Sequence, residues 1–220
     1  MLATLACLAI VIGLVLVAEV LWRKKILKGE NQRKFVHISV GTFAAFWPWL
    51  ISWNAIQLIG IALTIGVIAN RLSPHLHYLG GIRIKHNYGD IFLPLAIVLT
   101  SLITTNKIFF AIAILHVSLA DGLAAVVGAN FGKYWRYKIF AHTKTVVGTM
   151  TFWLVSVSIL GLGILGMGVL PAQDLFAYSN FFWLLLLLPP VVTMVENIVG
   201  FGMDNIAVPA AVLVGLNLAI

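Results

Sequence analysis

The chain is poor in charge and almost empty of cysteine. Only 10% of its 220 residues are charged, against roughly 25% in an average soluble domain. That is too little to coat a water-facing surface, which excludes an ordinary soluble globule. The 61% hydrophobic content then points to an integral membrane protein forming one polytopic domain over 1–220. The single cysteine, Cys7, sits in the first apolar run, so no intrachain disulfide forms. No CxxC or His/Cys cluster offers a zinc site. No positive charge precedes the first apolar run, and that run has the length of a full span, which argues against a cleavable signal peptide. Internal repeats of the kind that mark many transporters are absent, as are low-complexity linkers.

What is present is a series of long apolar runs. They predict an all-α transmembrane bundle with helices near 2–22, 35–53, 54–71, 91–105, 108–127, 148–170, 181–199 and 206–220. Two of these, 91–105 and 206–220, are short for a bilayer that needs about 20 residues, so the expectation is seven to eight spans. Pro189 and Pro190 should kink or break the seventh run, and Gly200 and Gly202 should end it.

Thirteen of the fourteen lysines and arginines fall in three loops on one side of an alternating topology. These are Arg23 to Lys34, Arg71 to Lys85, and Lys133 to Lys144; Lys107 falls opposite. A net charge of +7 dispersed in this way reads as a topology signal rather than as a nucleic-acid surface. The positive-inside rule makes that side cytoplasmic and the N-terminus external. Asp90, Asp121, Glu196 and Asp204 lie at or near the same ends of their runs, while Asp174 lies opposite. Acidic residues contribute little to topology, so their clustering calls for a polar, catalytic layer at the cytoplasmic face.

The densest motif runs from Asp121 to Gly148. Ionisable residues inside spans default to functional hypotheses. Asp121, Ala125, Gly128 and Gly132 share a helix face nearly bare of side chains, open to a ligand or to close helix packing. GANFGK (Gly128 to Lys133) has the wrong glycine spacing for a Walker loop, yet backbone N–H groups with a lysine can still cradle phosphate. In KTVVG, Lys144, Thr145 and Gly148 open the sixth run; Thr145 suits an N-cap, and a helix N-terminus suits an anion. Asp121, Glu196 and Asp204 can together hold magnesium, which takes one or two carboxylates plus substrate phosphates. Arg33, Lys34 and His37 (RKFVH) lead into the second run, with His37 a base, a donor or a cap. The 71–90 loop, with His75, His77, His86, Tyr88 and Asp90, reads as a flap or as solvated loop. His116, deep in an apolar run, reads as a satisfied buried histidine.

Taken in order, RKxxH, DxxAxxxGxxxGK, KTxxG and ExxxxxxxDN resemble the CTP-dependent polyprenol kinase family, which includes dolichol, phytol and diacylglycerol kinases. The matches run from Arg33 to Pro209. The resemblance implies transfer of the γ-phosphate of CTP to a membrane lipid alcohol. It implies Mg2+ held by Asp121, Asp204 and Glu196 with Asn205, and the triphosphate neutralised by Lys133, Lys144 and the N–H groups around Thr145. It further implies lipid recognition near Arg33, Lys34 and His37, with His37 or a carboxylate taking the hydroxyl proton. The central segment also resembles phosphatidate cytidylyltransferases, but GFGMDN stands where those enzymes carry a His-Gly-Gly stretch. A small transporter is a third reading, opposed by the acids gathered at one face.

Overall fold

The computed structural model describes residues 1–27, 30–72, 88–140, 142–166 and 175–219. Lys28, Arg83, Lys85, Asp174 and the loop histidines His75, His77 and His86 lie outside the described residues. The helices are α1 Leu2–Arg23, α2 Glu30–Ala45, α3 Trp47–Leu50, α4 Trp53–Leu72, α5 Gly89–Ile103, α6 Lys107–Leu115, α7 Asp121–Phe131, α8 Val146–Gly166, α9 Leu175–Ile198 and α10 Asp204–Ala219. A π-helical turn, His116–Ala120, joins α6 to α7, so that 107–131 is one continuous rod.

Among the described residues, five helices are long and apolar enough to cross a membrane: α1, α4, the 107–131 rod, α8 and α9. Helices α5 and α10 are apolar but shorter. The protein is therefore multi-pass, with five candidate spans by length and composition among the described residues. Reaching the seven to eight expected would take α2, which ends at Ala45 before the separate turn of α3, and the two short helices as well. The rod is the axis of the bundle, with 61% of its most apolar window buried, whereas α1 and α4 bury 22% and 17% of theirs. On one side it packs Phe152, Leu160, Val192, Val212 and Leu216 from α8, α9 and α10. On the other it packs Val11, Ala44, Trp47 and Ile56 from α1 to α4. Leu58, Ile65, Leu154, Leu162 and Leu186 point outward, where lipid rather than water covers them.

Local chemistry sets several ends. The Asn106 side chain accepts from the backbone N–H groups of Ile108 (2.9 Å) and Phe109 (3.2 Å), capping α6. Thr145 Oγ1 accepts from Gly148 N at 3.0 Å and caps α8. Helix α9 does not break at Pro189 and Pro190; both lie inside it. Each proline removes one N–H, and interrupting the helix in lipid would leave more backbone groups unpaired. It ends instead at Ile198, followed by a turn in which Phe201 and Gly202 are left-handed (φ 60° and 88°).

The basic-aromatic loop read between the fifth and sixth runs folds as an antiparallel hairpin, β1 Arg136–Ile139 with β2 His142–Thr145, Arg136 facing Thr145. It leads directly into α8 and carries side chains over the end of the bundle.

Candidate active site

Three helices meet beneath the hairpin. Asp121 begins α7, Glu196 lies in the last turn of α9, and Asp204 begins α10. One carboxylate oxygen from each lies within 4.8 Å of the others. Glu196 is buried and Asp204 half-buried. Three carboxylates in so little water repel one another unless cations intervene, and two lysines do. Lys34 Nζ donates to Asp121 Oδ2 at 2.7 Å, from α2 across to α7. Lys144, from β2, pairs with the Glu196 carboxylate and donates to its backbone carbonyl at 3.1 Å. Burial opposes the Lys144 charge, but Glu196, with Asp121 and Asp204 behind it, more than offsets this and holds the ammonium above the ordinary lysine value. Its charge therefore persists through neutral pH. The stability it contributes is present below the unfolded lysine value and lost only as alkaline pH passes the raised one.

These groups line a cavity of about 530 Å³ together with Arg33, Arg136, His142, Thr145, Thr149 and the Gly200–Gly202 turn. That volume falls within the range of small-molecule sites. The Tyr137 and Thr149 hydroxyls both reach Asn197 Oδ1, at 2.6 and 3.2 Å, and Asn197 donates to Thr193 O at 2.8 Å. This network fastens the hairpin to α8 and α9. His142 meets Phe201 edge-on at 4.7 Å between ring centroids, joining the hairpin to the α9–α10 turn at the rim.

His37 sits behind Asp121. Its Nε2 lies 3.0 Å from the Val117 carbonyl, in the π-helical turn, and 3.5 Å from Asp121 Oδ2. A carbonyl only accepts, so in this contact Nε2 carries the proton. The structure brings together Arg33, Lys34, Asp121, Gly128, Lys144, Thr145, Gly148, Glu196 and Asp204.

Other residues singled out in the sequence do not line this cavity. Lys133 is exposed, its ammonium 5.9 Å from the Tyr134 ring and away from the cavity lining. Asn205 is buried, and its side-chain amide donates to the Gly89 carbonyl of α5 at 2.9 Å. Gly132 is the C-cap of α7. Asp90 pairs with Arg71 at 2.9 Å rather than joining the acidic cluster. His116 bonds Ile112 O and Ser156 Oγ, both at 2.8 Å, a satisfied buried histidine.

The glycine face of α7 is a crossing with α8. A Cβ on Gly128 would lie 2.6 Å from Thr145 Oγ1 and 3.2 Å from Gly148 Cα, and one on Gly148 would lie 2.9 Å from Ala124 O. Gly128→Val is expected to lower stability by about 1–3 kcal/mol through overpacking, read as an earlier thermal transition in detergent.

In the sequence Arg136 reads only as a topology charge, and His142, Tyr137, Thr149 and Asn197 do not stand out. The signal for Arg136 was its place between two elements already suspected of binding phosphate. For the others, nothing local marked them, because their roles come from the hairpin.

Fold and site together define a multi-pass helical membrane protein with a mixed acidic and basic pocket at one end of its bundle. In sequence it is similar to the phytol kinase of Synechocystis sp., 36% identical over 151 residues, which are 66% of this chain. The matched stretch spans 63% of that relative's length. This similarity supports the resemblance to the CTP-dependent polyprenol and phytol kinase family carried by the four motifs. No protein-family model matches the chain. No solved structure matches it.

Proposed function

We propose that the chain is a membrane lipid kinase that transfers the γ-phosphate of CTP to the hydroxyl of a lipid alcohol such as phytol, dolichol or another polyprenol. The observation that carries this reading is the set of three carboxylates within 4.8 Å of one another, faced by Lys34 and Lys144 in one cavity. Oxygen donors on converging helices fit a hard cation, and Asp121, Glu196 and Asp204 would hold Mg2+. When bound, the cation would help neutralise the charge on the transferring phosphoryl group.

The rest is done by the chain's own groups. Lys144 and Arg136 approach the phosphates from the hairpin, and the N-terminus of α8 adds backbone dipoles. Lys34 and His37 hold the Asp121 carboxylate in place. A carboxylate of the cluster takes the hydroxyl proton as the alcohol oxygen bonds to the γ-phosphorus. The bond to the β-phosphate oxygen breaks, and CDP leaves. Phosphoryl transfer asks for positioning and charge neutralisation more than for covalent help. The positive-inside bias supports a cytoplasmic pocket and an external N-terminus, where cytosolic CTP and a membrane alcohol can meet.

Purified protein in nanodiscs, given CTP, Mg2+ and phytol or a polyprenol, is expected to yield the lipid monophosphate and CDP. Pyrophosphate release with a CDP-lipid would instead identify a cytidylyltransferase, and no turnover on any lipid would overturn the reading. Chelating the divalent cation should abolish the reaction, and restoring Mg2+ should recover it.

A further inference from the structure

Helix α1 packs on α2, and α4 packs on α5; between the two pairs lies a second cavity of about 420 Å³. Its walls are Val11, Ile12, Val15 and Leu16 of α1 and Ala62, Leu63, Gly66 and Val67 of α4, with Val36 and Leu93 behind them. Ile12, Leu16, Ala62 and Gly66 are exposed, so the groove opens sideways to where lipid would lie. One end is polar: Arg33, His37, Asn70 and Asp90 line it. That end adjoins the acidic cavity, since Arg33 lines both and His37 stands 3.5 Å from Asp121.

Resting on the lipid-kinase reading, we infer that this groove holds the hydrocarbon chain of the acceptor alcohol, its hydroxyl end at Arg33 and His37 beside Asp121. An alcohol with one polar end and an apolar tail matches a groove polar only where it meets the carboxylates. Another apolar groove, lined by Trp183, Leu187, Val214 and Leu218 of α9 and α10, shares no residue with the acidic cavity. From Ala62 to Asn70 the groove runs about 12 Å at the helical rise per residue. It therefore grips only the part of a long chain nearest the hydroxyl and leaves the remainder in the bilayer.

Gly66 gives the test. An added Cβ there has no atom within 4 Å, and the same is true of Gly13 on α1, which is not among the groove's lining residues. Gly66→Trp should raise KM for phytol about tenfold or more and for the short alcohol prenol by clearly less, and Gly13→Trp should alter neither. Unchanged phytol kinetics in Gly66→Trp, or equal loss on both alcohols, would overturn the groove assignment. Failure of the unsubstituted protein to phosphorylate either alcohol would instead remove the kinase reading itself. As a measurement independent of any variant's folding, a phytol analogue with a diazirine close to the hydroxyl should label Val15, Leu16 or Val67. Labelling confined to Trp183, Leu187 or Val214 would overturn the assignment.

Discussion

Asp121→Asn is expected to fold and insert yet lose about a hundred- to a thousand-fold in turnover with CTP and a lipid alcohol, the scale of removing one preorganised charge from a transition state. Asparagine keeps the shape and can still accept from Lys34, now 2.7 Å from Oδ2, so the lesion is electrostatic. It takes one of three carboxylates from a cluster proposed to hold Mg2+, so the Mg2+ concentration for half-maximal rate should also rise. Rate against Mg2+ in nanodiscs, with near-UV circular dichroism to check packing, measures both. Turnover close to that of the unsubstituted protein would remove Asp121 from the chemistry.

Lys144→Met should damage both stability and activity. Its partner Glu196 has a side chain only 6% exposed, and removing one member of a buried pair leaves an uncompensated charge, a loss of about 3 kcal/mol. Adding Glu196→Gln should return most of that stability, because the orphaned charge is gone. Activity should stay lost in the double variant, since both the cation proposed to face phosphate and a carboxylate of the cluster are missing. Thermal unfolding in detergent beside a CTP-dependent assay separates the two effects. Recovery of activity together with stability would mean that Lys144 serves the fold alone.

Much of the bundle was legible because hydrophobic run length is a local property. The run read at 2–22 became Leu2–Arg23, and the run at 54–71 became Trp53–Leu72. The glycine face of Gly128 and Gly132 left ligand approach and helix packing both open. The close fit to Thr145 and Gly148 makes it a helix crossing, while Gly128 and Gly148 still border the cavity. The hairpin escaped detection because its strands are four residues each, too short for alternation to stand out from loop composition.

By itself, then, the sequence determined that this is a membrane helical protein, roughly where its helices run, and which residues carry charge at one of its ends. Those properties follow from the cost of placing polar groups in lipid, which every residue meets independently of the fold. Only the tertiary structure decided which charges meet: Asp90 turns to Arg71, Lys133 stays outside, and Lys34 crosses from α2 to Asp121. Coulomb interaction falls with distance, and the distance between residues 87 positions apart is set by how helices pack, which no local pattern contains.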